Sequence, residues 1–151
     1  MVLRRLVAFA AIALVVMGCD AGSAPSPSLP AGAAPALAGT SWIVKSVDGR
    51  APVPGSVPIA TFDAGRVSGT GGCNQYGGPY RLDPATGQLA IRELVSTDMG
   101  CLKAGVSAFE TVFLRALGGA NLATTGPDGE LILDGTAGRL LLVPLEHPGG
   151  S

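Results

Sequence analysis

Charge is scarce in this chain. Asp, Glu, Lys and Arg together make up 14% of its 151 residues. Histidine is scarcer still: His147 stands alone, in the closing "EHPGGS". Each shortage removes a class of chemistry. A cysteine or serine nucleophile needs a base within hydrogen-bond reach, and a single histidine beside a proline, past the last strand-like segment, reads as a solvated tail residue. No serine sits in a strand–turn–helix nucleophile elbow. The glycine-rich "GTGG" of Gly69–Gly72 lacks the Lys, the Ser/Thr and the following helix of a phosphate-binding loop. No stripe of Lys and Arg runs along any segment, which argues against nucleic acid as a partner.

What is present first is an address. A basic pair, Arg4 and Arg5, precedes an apolar run of twelve residues from Leu6 to Met17. A permanent membrane-spanning helix needs about 20 apolar residues. A basic start, a short apolar stretch and small residues before a cut describe a secretory signal peptide. The run ends in "VVMGC", and Val16, Met17, Gly18 and Cys19 resemble a bacterial lipobox. That resemblance implies a lipoprotein signal peptide over residues 1–18, acylation of Cys19 and a new N-terminus there. Two or more acyl chains hold a protein stably on a membrane. The expected location is the cell envelope, lipid-anchored and facing the extracytoplasmic side.

With the signal removed, eight basic residues face eleven acidic ones, a net charge of −3 at pH 7. From Ala21 to Ala38 the chain reads "AGSAPSPSLPAGAAPALA", with no charge and little that could form a core. Residues 19–36 are expected to be an Ala/Pro/Ser/Gly-rich tether. Residues 37–145 should fold, and 146–151 should be a flexible tail. Within the folding part the strand signal dominates. "TSWIVKSV" alternates, with Trp42, Val44 and Ser46 on one face. "VPIATF", "RVSG", "PYRL" and "LAIREL" follow, and "ELILDG" with "GRLLLVP" forms a closing hairpin. From Lys103 to Leu117 the period changes: Val106, Phe109, Phe113 and Leu117 form one face of an amphipathic helix, ended by Gly118-Gly119. The expected fold class is α+β, a curved antiparallel β-sheet of about seven or eight strands wrapped around one α-helix, as a single domain.

Three cysteines are an odd count for an exported protein. Assigning Cys19 to lipid removes the oddness and leaves Cys73 and Cys101, which are expected to form a disulfide. The glycines around Cys73 then read as a corner beside a crosslink rather than a cradle for a ligand. Two cysteines and a tail histidine fall short of four zinc ligands, so no metal and no cofactor is expected. Glu110, alone among apolar neighbours in "AFETVF", should cap or pair at the helix face, and Asp98 should serve a cap or turn.

Four segments then carry a resemblance. "LAGTSWIVKSVDG", "GRVSGTGGCNQYGGPY", "LVSTDMGC" and "FETVFLRAL" occur in the order and rough spacing of the META domain, the HslJ-like family. The matching positions are Trp42; Ser68, Gly69, Gly72, Cys73, Asn74, Tyr76, Gly78 and Tyr80; Thr97, Met99 and Cys101; and Glu110. The run "DGRAPVPGSVP", Asp48–Pro58, departs from the pattern. The resemblance implies a bacterial envelope lipoprotein whose sheet curves round one helix, much as in lipid-binding secretin pilotins. It also implies a link to stress response and brings no agreed catalytic residues. The expected function is a non-enzymatic, membrane-anchored binding or envelope-integrity module. Its partner would be an envelope protein or a lipid. The alternatives are a lipid-binding module proper or an enzyme with an unrecognised site.

Overall fold

The computed structural model describes residues 32–145. The signal segment, Cys19, most of the tether, His147 and the rest of the tail lie outside the described residues. Nine strands and one helix are found among the described residues: β1 (Thr40–Val47), β2 (Ile59–Asp63), β3 (Arg66–Thr70), β4 (Gln75–Leu82), β5 (Leu89–Ile91), β6 (Val95–Ser96), α1 (Val106–Gly118), β7 (Ala120–Thr125), β8 (Leu131–Gly135) and β9 (Gly138–Pro144). The strands form one antiparallel sheet in the order β5-β4-β3-β2-β1-β9-β8-β7, with β6 paired to β4 off that path. The two ends of the sheet meet where Gln88 bridges Leu122 and the Ala123 N–H donates to the Gly87 carbonyl at 2.8 Å. The result is a nearly closed sheet around one helix. The expected α+β architecture is therefore present, with a stronger β character than the sequence suggested.

Alternation builds the interior. Val67 on β3, Tyr76 and Tyr80 on β4, Leu131 and Leu133 on β8, and Leu140 and Leu142 on β9 all point inward and are buried. The helix adds Phe109, Phe113, Ala116 and Leu117 to the same cluster. Spacings of three and four residues place these side chains on one face, so the helix buries that face against the sheet. It begins after Gly105 in the left-handed region and ends at Gly119, whose N–H closes back on the Arg115 carbonyl at 3.0 Å.

Three local expectations are corrected. In β1, Val47 rather than Ser46 takes the inward position. The pairing with β9 shifts by one residue between Val44 and Ser46, a bulge that reverses the alternation. The strand read as "PYRL" is eight residues long and starts at Gln75, inside the glycine run. "ANLATT" was not read as a strand, yet it forms β7, whose register also shifts, between Ala120 and Leu122.

Phe113 is fully buried and meets Tyr76 edge-on, with ring centroids 5.5 Å apart. Truncating it removes this ring contact and leaves a cavity between helix and sheet. Phe113→Ala should destabilise the domain by about 3–5 kcal/mol, measured as a shift of the denaturant midpoint.

Candidate functional site

The residues singled out from the sequence converge at one end of the sheet. The turn between β3 and β4, Gly71–Asn74, folds over the first turns of the helix. Glu110 projects from the buried face of α1, with 5% of its surface exposed. Its Oε2 accepts the backbone N–H of Asn74 at 2.8 Å and that of Cys73 at 3.2 Å, and its Oε1 accepts the Asn74 side-chain amide at 2.6 Å. The Asn74 Oδ1 in turn accepts the Met99 N–H at 2.7 Å and the Thr97 hydroxyl at 3.0 Å. Thr97 Oγ1 receives the Gln75 N–H at 3.1 Å. One helix, one turn and the segment after β6 are thus tied by a chain of bonds running through two buried side chains.

The disulfide closes the same knot from outside. Cys73 and Cys101 are bonded, with Cα atoms 5.9 Å apart and a sequence separation of 28. Glycine is required here by close approach: a Cβ on Gly71 would stand 2.4 Å from the Glu110 side chain. The Asp48–Pro58 loop, which departs from the family pattern, packs against this end as well. The Lys103 ammonium donates to the Pro54 carbonyl, and Ser56 lies against Gly72.

Of the motif residues, Cys73, Asn74, Thr97, Met99, Cys101 and Glu110 meet in the knot, with Gly72 at its edge. Tyr76 joins it to the core: its hydroxyl donates to the Ile59 carbonyl at 2.9 Å. Burial pushes that hydroxyl far above the ordinary phenol range, so it stays protonated and keeps donating. Gly69 makes this bond possible, since a Cβ there would fall 2.0 Å from the Ile59 oxygen. Ser68 lies mid-strand on β3, half-buried, opposite Thr61 and Gly77. Gly78 lies under the Arg92 and Glu93 carbonyls. Trp42 and Tyr80 stand apart from the knot. The Trp42 indole donates to Thr40 at 2.7 Å, and Tyr80 meets Phe62 edge-on at 5.2 Å. Glu110 was expected to cap or pair at the helix face; it pairs, and its partners are in the turn above the helix. Asp98 is exposed, and the helix begins without a side-chain cap. Thr70, which accepts the Gly72 N–H at 3.1 Å, was missed. A threonine directly before a glycine pair was its only local signal.

Chemically, the knot is closed. Both oxygens of Glu110 and both the oxygen and the nitrogen of the Asn74 side-chain amide are engaged within the protein, and Cys73 and Cys101 are spent in the crosslink. No group of three or more His, Cys, Asp or Glu that could hold a metal occurs among the described residues. An open groove of about 470 Å³ lies elsewhere, between Gly65, Pro79, Arg81, Ala90, Arg92 and Glu93.

A nearly closed antiparallel sheet filled by one helix, with a buried Glu–Asn pair under a crosslinked glycine turn, defines a small structural domain with its own polar keystone. The chain belongs to the META domain family, whose model matches residues 35–147. Among solved structures it is similar to an NMR structure of a protein from Burkholderia xenovorans, at 22% identity and a TM-score of 0.64. That match covers 85% of this chain and 99% of the other. A second NMR structure, also 22% identical, aligns with a TM-score of 0.57 over 70% of this chain and 89% of its own. At that identity the likeness establishes the fold alone. No curated protein matches the sequence.

Two measurements test the knot. Glu110→Gln replaces one acceptor oxygen with a donor aimed at N–H groups, and should cost at least about 2 kcal/mol in chemical denaturation. Replacing both Cys73 and Cys101 by Ser should cost roughly 3–4 kcal/mol on the chain-entropy account, while far-ultraviolet circular dichroism keeps its strand signal.

Proposed function

We propose that the protein is a non-enzymatic, lipid-anchored envelope module, held on a membrane through Cys19 and presenting its META domain on the extracytoplasmic side for binding or envelope integrity under stress. The observation that carries this reading is the saturation of the motif. Asn74, Thr97 and Glu110, the polar motif residues of the knot, spend their side-chain atoms on one another and on the backbone of Cys73, Asn74, Gln75 and Met99, which fits a scaffold that acts through its surface. The disulfide agrees with an exported location, where such bonds persist. The sequence before Cys19 supplies the anchor signal.

The helix bears on the kind of partner. Phe109, Phe113 and Leu117 are each at most 2% exposed, and the concave side of the sheet is occupied by them. That supports recognition at the surface over an acyl chain held inside, so an envelope protein is the favoured partner class.

Detergent phase partitioning of the full chain made in a bacterial host tests the anchor. Wild type should enter the detergent phase, and Cys19→Ala should remain unprocessed or move to the aqueous phase. Wild type found mainly in the aqueous phase would overturn the proposal.

A further inference from the structure

The sheet has a weak seam, and the end of the tether lies across it. Where β5 meets β7, no continuous strand register is formed among the described residues; the two are joined by the isolated Gln88–Leu122 bridge, beside which the Ala123 N–H donates to the Gly87 carbonyl. Residues 32–37 cover this place. The Gly32 N–H donates to the Thr125 carbonyl at 2.7 Å, and the Thr125 N–H donates to the Ala33 carbonyl at 2.9 Å. These two bonds occupy the outer edge of β7, which would otherwise present unpaired backbone groups. Gly87 is the meeting point of all three segments. A Cβ there would stand 2.6 Å from the Ala123 oxygen and 3.6 Å from the Ala34 methyl. The far end of the strap is pinned by Leu37, which is 2% exposed and packs in the core, while its carbonyl accepts the Thr40 N–H at 3.1 Å.

A second observation marks the seam as the place that gives. Thr125 is 7% exposed, yet its hydroxyl has no hydrogen-bond partner among the described residues. A buried polar group without a protein partner is costly, and the closed seam bears that cost. The strap therefore holds shut a joint that is short of ladder bonds and carries an unpaired hydroxyl.

We propose that residues 32–37 are a strap that closes the sheet, and that the domain opens first between β5 and β7 when the strap is displaced. Because the tether continues from Gly32 toward Cys19, tension on an anchored chain would be delivered at this seam. That consequence rests on the anchored reading, whereas the strap itself does not. Residues 19–36 were expected to be an Ala/Pro/Ser/Gly-rich tether; Gly32 and Ala33, within that range, are hydrogen-bonded to the sheet.

Amide hydrogen exchange of the full chain, read residue by residue, tests the strap. It reads the same with or without acylation at Cys19, so its failure and the failure of the anchor are separate results. Gly32→Pro removes the donor and cannot adopt the φ of +86° found there. The Ala123 and Thr125 amides should then exchange at least about fivefold faster, the loss of one backbone bond expressed as a rate. The amides pairing β1 with β9 should keep their rates. Thr125→Val, which keeps the shape and removes the hydroxyl, should slow exchange at Ala123. Unchanged rates at the seam in Gly32→Pro, or acceleration spread evenly over the sheet, would overturn the strap. An unchanged or faster Ala123 amide in Thr125→Val would overturn the role of the hydroxyl in opening.

Discussion

Burial of the Glu110 carboxyl is the constraint on which this end of the protein depends. A carboxyl group taken out of water must be hydrogen-bonded or it destabilises the fold. Here its three partners are supplied by Cys73 and Asn74, residues of a turn that has almost no side chains of its own to pack. The dependence runs both ways. The turn requires the helix for its N–H groups, and the helix requires the turn to satisfy the one polar side chain on its buried face.

This mutual need explains the company the glycines keep. A glycine-rich turn loses more backbone freedom on folding than any other segment. Two devices offset that loss. The disulfide restricts the unfolded chain between Cys73 and Cys101, and the Asn74 amide carries order onward to Thr97 and Met99. Glycine at position 71 brings the backbone near enough to the carboxyl for both bonds to form. Exposed Met99 and Leu102 beside Cys101 show how completely the segment relies on hydrogen bonds and the crosslink rather than on apolar burial.

At the other end the logic is different. No buried carboxyl and no crosslink hold the seam between β5 and β7. An antiparallel sheet that curls round one helix must bring two edges together, and unequal strand lengths leave those edges poorly matched: β5 has three residues and β7 has six. Backbone from outside the strand set completes the pairing. One end of the domain is thus locked by side-chain chemistry and the other by main-chain bonds, which are easier to exchange for water.

Much of the fold was legible in the sequence because it rests on local periodicity. Phe109, Phe113 and Leu117 recur at helical spacing, and two short apolar runs flank the turn "DGTAG", so the helix and β8–β9 are properties of a few neighbouring residues. The pairing of Cys73 with Cys101 followed from counting. Other features were not legible, for a shared reason. The bulge that turns Val47 inward depends on the register with β9. The strand through Gly77 and Gly78 looked like a turn, because glycine there answers to distant groups: Gly77 to the Arg66 guanidinium and Gly78 to the Arg92 and Glu93 carbonyls. β7 carries few β-branched or aromatic residues and is a strand through its pairing with β8. Glu110 gave no sign that its partners lay some 36 residues earlier. By itself the sequence determined that most of the folded part is strand and which one segment coils. Only the tertiary structure decided what the buried carboxyl serves and how the sheet closes, because both are set by groups distant along the chain that meet only after it folds.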